Sequence, residues 1–105
     1  AVHVKAGHAG QAVGGVVQMP DACTAFHRYQ MHWTPHDVVF GVDGKQHVRF
    51  PKMAGGKDIW PFDHPQYLLL NLAIGGDLGG PVDDTIFPVS FQVDYVRVYQ
   101  GPKPK

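Results

Sequence analysis

The chain has 105 residues, nine basic and nine acidic side chains and a formal net charge of zero, and every acid is an aspartate. That length allows one domain, and a neutral chain has no field to gather a polyanion, which argues against nucleic acid as a partner. One cysteine, Cys23, excludes an internal disulfide and a cysteine-rich zinc site, and reads as a small buried hydrophobe rather than a nucleophile. No apolar run approaches the roughly 20 residues of a membrane-spanning helix, so no membrane contact is expected, and no signal peptide is visible.

Along the chain, 13 Gly and nine Pro separate short runs of β type. Residues 1–4 read as the end of a strand, 7–15 as a loop, and 16–17 as the start of a short strand. Residues 26–33 alternate, with His27, Tyr29, Met31 and Trp33 on one face and Phe26, Arg28, Gln30 and His32 on the other. Period two of this kind predicts a strand. Two β-type runs, 38–42 and 45–50, flank Asp43-Gly44. That dipeptide is a two-residue hairpin signature, because both turn positions need positive φ.

Residues 51–58 read as a loop, and 60–65 carry too much proline for a central strand. Residues 67–74 are apolar enough for a strand buried on both faces, interrupted by Asn71. A glycine-rich loop follows at 75–81, with Asp83 and Asp84 beyond it. Residues 89–100 form the longest β run, and 101–105 read as a frayed tail. Trp33, Tyr29, Phe40 and Tyr95 are expected in the core.

Short strands joined by Gly/Pro turns, with no helix required, predict an all-β sandwich or jelly roll. The strands are too few to cover two stacked sheets, so a partner chain or a further half of the domain is expected to cover the apolar surface and sheet edges left open. The seven histidines include no pair at the i, i+2 spacing of a strand zinc site. No Ser-His-Asp signature or phosphate-cradling glycine loop is present.

Three segments carry a resemblance: FHRYQMHWTPHDVVFGVDGK (26–45), WPFDHPQYLLLNLAIGG (60–76) and VSFQVDYVRVYQ (89–100). They resemble glycoside hydrolase family 16, the laminarinase and lichenase family. The Trp60-Pro61-Phe62-Asp63 block is similar to its β-1,3-glucanase branch. The resemblance implies a concanavalin-like β-jelly roll whose concave sheet forms a glycan cleft. On this reading residues 1–105 are the C-terminal half of a single jelly-roll catalytic domain. Its N-terminal half would be a separate chain or a missing segment.

The family's catalytic strand reads Glu-x-Asp-x-x-Glu, and a retaining mechanism needs two carboxyl groups about 5–5.5 Å apart. The chain holds no glutamate, and Asp83 and Asp84 are adjacent, so on a strand they would face opposite ways. No catalytic residue is therefore expected in it.

Three residues, His3, Asn71 and Asp94, take roles by resemblance, and Trp60 is a candidate by its own chemistry, since an aromatic face suits the apolar face of glucose. His3 would be a polar group at the cleft near the acid/base, against the alternative of a strand-end histidine on a polar face. Asn71 would hydrogen-bond sugar from the cleft floor, or find partners within the protein as a buried amide must. Trp60 would stack on a sugar ring, or anchor its loop in the core. Asp94 would ligate a structural calcium, which takes six to eight oxygens and so needs ligands from the other half. Where the family often carries an aromatic after the glycine pair, this chain has Asp77-Leu78, so a stacking ring is either missing or supplied from elsewhere.

The expected function is thus the C-terminal portion of a retaining endo-β-1,3-glucanase acting on extracellular β-glucan polysaccharide. The alternative is a non-catalytic β-1,3-glucan-binding module.

Overall fold

The computed structural model describes residue 2, residues 14–54 and residues 56–102. The expectations for residues 1 and 3–13, His3 included, lie outside the described residues, as do those for 103–105. The chain divides into two compact units, Ala1–Tyr67 and Leu68–Lys105.

The first unit is built on one antiparallel sheet, β1 (Tyr29–Trp33), β2 (Asp37–Val42) and β3 (Lys45–Pro51), in the order β1-β2-β3. The hairpin forms where Asp43-Gly44 predicts it, Val42 opposite Lys45, with φ of 51° at Asp43 and 83° at Gly44. Both turn residues are left-handed, as a two-residue turn matched to strand twist demands. One residue farther on the ladder slips between Phe40 and Gly41, leaving His47 as the extra residue of a bulge. Gly41 suits that position because a Cβ there would stand 2.8 Å from the Lys45 carbonyl oxygen.

Alternation sorts the side chains. Val38, Phe40 and Val42 share one face of β2, and their partners across the ladders, Trp33, Met31 and Tyr29 on one side and Phe50 and Val48 on the other, extend it. The core sits over the β2–β3 part of this face. Val2, Val38, Phe50 and Trp60 are buried there, with Phe40 and Phe62 packed against them. The Phe50 and Trp60 rings lie 8° from parallel at 5.8 Å, and Phe62 stands nearly perpendicular to both, 6.3 Å from Phe50 and 5.2 Å from Trp60. Offset and edge-on geometries of this kind add to the burial itself.

At the β1–β2 connection, the Thr34 hydroxyl donates to Asp37 Oδ1 at 2.6 Å, and the His36 and Asp37 backbone N–H groups donate to Thr34 Oγ1. Arg49 Nε donates to Asp37 Oδ2 at 2.7 Å. The Thr34 hydroxyl and then the Arg49 guanidinium hold the Asp37 carboxyl below its ordinary value.

Several expectations are corrected. β1 begins at Tyr29 rather than 26, because Phe26 to Arg28 lead in from a turn closed by Ala22, Thr24 and Ala25 N–H bonds. Residues 16–17 are in no strand. Tyr29 and Trp33 are exposed rather than core, because no described residue covers the sheet face over β1. Cys23 is exposed in its turn rather than buried.

Residues 67–74, which run from the end of the first unit into the second, and residues 89–100 of the second join no ladder, and all their side chains are exposed. Tyr95, expected in the core, is among the exposed residues, its ring under the Arg97 guanidinium at 4.4 Å. An extended segment becomes a strand only when a neighbour accepts its N–H and C=O groups, and no described segment does so here. The regular structure of this unit is one turn of helix, α1 (Gly76–Gly79), and a 3₁₀ turn, Asp84–Ile86, capped by the Asp83 carboxylate on Thr85 N–H. Among the described residues no helix is long and apolar enough to cross a membrane.

Replacing Phe50 by Ala removes one of the buried side chains of the core cluster. Truncating a buried Phe costs about 3–5 kcal/mol, comparable with the whole stability of a marginal domain. The expected outcome for Phe50→Ala is loss of a cooperative unfolding transition, followed by circular dichroism during urea titration.

Candidate functional site

The residues singled out by the sequence fall in different places. Trp60 belongs to the first unit and is 3% exposed. Asn71 and Asp94 belong to the second unit and are exposed, each on an extended segment without a sheet partner. His3 lies outside the described residues.

Trp60 sits at the start of the proline-rich loop that returns over β3. The 3₁₀ turn Gly56–Asp58 delivers it, with the Ile59 and Trp60 N–H groups both donating to the Gly56 carbonyl. Its indole Nε1 donates to Asp63 Oδ1 at 3.1 Å, and Lys52 Nζ donates to Asp63 Oδ2 at 2.9 Å. One carboxylate therefore satisfies the buried indole and ties the end of β3 to the loop. The Lys52 ammonium and then the indole N–H hold the Asp63 carboxyl below its ordinary value. Packed against Phe50 and Phe62, the Trp60 ring is part of the core.

Around these groups lies an open cavity of about 260 Å³, lined by Lys52, Met53, Ala54, Trp60, Asp63 and His64. Its rim offers a carboxylate, an ammonium and an imidazole, groups that exchange hydrogen bonds with hydroxyls. It holds one carboxylate, so it lacks the paired carboxyl groups of acid/base glycoside chemistry.

Asp94 presents one exposed carboxylate. Among the described residues no group of three or more His, Cys or acidic side chains is placed to hold a metal ion. A calcium ion wants six to eight oxygens, so the described residues do not compose a calcium site by themselves.

Two clusters escaped the sequence reading. Asp63 was legible only as part of a motif, and its double role depends on a loop folding back to Lys52, 11 residues away. The second cluster joins Asp21, His27 and Asp43. His27 Nδ1 lies 2.6 Å from Asp43 Oδ2, and Nε2 lies 3.0 Å from Asp21 Oδ1. The only signal for it was the Asp-Gly turn, which predicts where Asp43 bends but not what its carboxylate meets.

The Asp63 contacts make a testable distinction. Asp63→Asn keeps an acceptor for the indole, whereas Asp63→Ala leaves the indole N–H unpaired. The alanine variant is expected to lower the urea midpoint further than the asparagine variant, and to red-shift tryptophan fluorescence in the folded baseline. Equal midpoints would show that the indole bond contributes nothing.

Comparison with known proteins places these residues. Residues 2–97 match the model for Glycosyl hydrolases family 16. The chain is 41% identical over 108 residues to a beta-glucanase of Rhodothermus marinus, covering 94% of this chain and 38% of that protein. It is 41% identical over 80 residues to a keratan-sulfate endo-1,4-beta-galactosidase of Sphingobacterium multivorum, covering 75% of this chain and 19% of that one. It is 34% identical over 101 residues to glucan endo-1,3-beta-glucosidase A1 of Niallia circulans, covering 86% of this chain and 15% of that one. The chain thus spans well under half the length of these relatives. No solved structure gave a significant match. With the family model matching nearly the whole chain, and with an all-β sheet whose apolar face is only partly covered, the chain belongs to glycosyl hydrolase family 16.

Proposed function

We propose that this chain is the C-terminal portion of a retaining endo-β-1,3-glucanase of the laminarinase type, working outside the cell on β-glucan. The carrying observation is the match across 94% of the chain to a protein named a beta-glucanase, of which it spans 38%. The match to a glucan endo-1,3-beta-glucosidase supports the linkage.

In this reading residues 1–105 are one half of a single jelly-roll catalytic domain and contribute cleft wall. Retaining hydrolysis needs a nucleophile and an acid/base about 5–5.5 Å apart. This chain has no glutamate, so both catalytic carboxylates come from the remainder of the protein, present as a preceding segment or as a separate chain. His3 and Asn71 are the proposed substrate contacts. Asn71 suits that role by chemistry, since its amide both donates and accepts, as paired sugar hydroxyls require. The proposed part for Trp60 is indirect: it holds the 60–65 loop in place through Phe50 and Asp63, and its edge lines the cavity beside that loop.

Asp94 is proposed as one ligand of a structural calcium, the other oxygens coming from the remainder of the domain. A bound calcium would stabilise the fold by linkage, in proportion to how far its concentration exceeds its dissociation constant.

The test joins this chain to the preceding half of the Rhodothermus marinus beta-glucanase and measures reducing sugar released from laminarin. The joined protein is expected to hydrolyse laminarin and this chain alone is not. Hydrolysis by the chain alone would overturn the reading, and laminarin binding with no hydrolysis in the joined protein would favour a non-catalytic glucan-binding module. In the joined protein, Asn71→Ala is expected to lower kcat/KM about tenfold, the loss of roughly one hydrogen bond, with unfolding unchanged. An effect on stability alone would assign Asn71 to structure.

Calcium is expected to raise the Tm of the joined protein, and Asp94→Asn to abolish most of that rise. An equal rise in the variant would remove Asp94 from the site.

A further inference from the structure

The turn before β1 and the turn between β2 and β3 are tied together by one imidazole. Asp21 closes its own turn, its carbonyl accepting the Thr24 and Ala25 N–H groups. Asp43 stands at the first position of the β2–β3 turn. The two aspartates are 22 positions apart in the chain, and His27 sits between them with its side chain 13% exposed. Both of its ring nitrogens face carboxylate oxygens, which only accept, so both bonds exist together only when both nitrogens carry protons.

The two arms are unequal. Asp43 is fixed three ways. Its Oδ2 meets His27 Nδ1 at 2.6 Å, its Oδ1 accepts the Arg28 N–H at 2.8 Å, and its own N–H donates to the Arg28 carbonyl at 2.8 Å. Asp21 has a single, longer bond to the ring at 3.0 Å, and its carboxylate is 55% exposed. A neutral imidazole has one N–H to give. It keeps that proton on Nδ1, against the shorter and better supported partner, and Nε2 then turns a lone pair toward the Asp21 carboxylate. Contact between a lone pair and an anion is repulsive, so the weaker arm opens.

We propose that Asp21, His27 and Asp43 form a proton-gated latch, in which imidazolium clamps the turn at residues 20–25 to the β2–β3 turn and loss of the Nε2 proton to water frees the Asp21 arm while the Asp43 arm holds.

The charges acting on the ring are the Asp21 and Asp43 carboxylates. Arg28, next along the chain, acts on Asp43 rather than on the ring. The hydrogen bond to Asp43 raises the His27 pKa above its ordinary value, burial opposes that, and the Asp21 charge adds to it. A histidine raised in the folded state contributes stability fully below its unfolded value, roughly 6.5, and loses it as pH rises through the folded value. The Asp43 carboxyl moves the other way, held below its ordinary value first by the Arg28 N–H and then by His27. Its contribution is lost only in acid, as pH falls through that lowered value. The clamped state therefore belongs to the acidic side of the raised His27 value, and the Asp21 arm opens as pH rises through that value.

The measurement is an NMR titration of the His27 ring nitrogens and of the backbone amides at 21–25 and 28, on this chain and on Asp21→Asn and Asp43→Asn variants. His27 is expected to titrate above 6.5, ending as the Nδ1–H tautomer. The amides at 21–25 should shift with the same midpoint while the Arg28 amide stays bonded. Asp43→Asn is expected to lower the midpoint more than Asp21→Asn, and Asp21→Asn to uncouple the 21–25 amides from the ring. A wild-type midpoint at or below 6.5, an Nε2–H tautomer in base, or amides at 21–25 indifferent to the ring would each overturn the latch. The wild-type titration decides even if a variant fails to fold.

Discussion

The described core rests on the contact between Phe50 and Trp60. Phe50 is the last apolar side chain of β3, and Trp60 arrives from the loop that leaves it; their parallel rings at 5.8 Å close that loop over the sheet. Phe62 packs edge-on to both rings, and the Asp63 carboxylate then lies where it can take the indole N–H and the Lys52 ammonium together. The open cavity beside the loop exists because the same residues turn inward on one side and leave their polar ends outside.

The other constraint is coverage. The sheet has one apolar face, and the aromatic cluster covers only the β2–β3 part of it. Over β1, Tyr29, Met31 and Trp33 remain 65%, 59% and 42% exposed. In the second unit the apolar residues of 68–74 and 89–100 are open in the same way. Apolar surface of that extent is costly in water and marks an interaction surface. It agrees with a chain that spans 38% of the length of a related beta-glucanase. The exposed positions of Asn71 and Asp94 follow from the same deficit, since a strand offers its side chains to a cleft only after its neighbours fix its register.

What could be read along the chain was local. The hairpin was legible because Asp43 and Gly44 are among the few residues that accept positive φ, and the alternation in 38–42 and 45–50 then dictated which side chains share a face. The family was legible because three motifs survive as strings. The pairing of 67–74 and 89–100 was not, although both look more like strands than β1 does. Apolar β-type composition records a segment's fitness for a sheet, while a ladder needs a second backbone at hydrogen-bonding distance. Tyr29, Trp33 and Tyr95 were expected in the core for the same reason, because hydrophobicity says that a side chain favours burial and not whether anything is present to bury it.

By itself, the sequence determined the all-β class, the turn at Asp43-Gly44, the family, and a chain without glutamate. These depend on residue identity and on neighbours one to three positions apart. Only the tertiary structure decided that Trp60 spends its ring on Phe50, that Asp63 serves Lys52 and Trp60 at once, and that His27 lies between Asp21 and Asp43. Each of these joins groups that the chain separates and the fold returns to within about 3 Å for hydrogen bonds or ring-contact distance for aromatics. Such distances are set by the path of the backbone, which no local pattern in the sequence specifies.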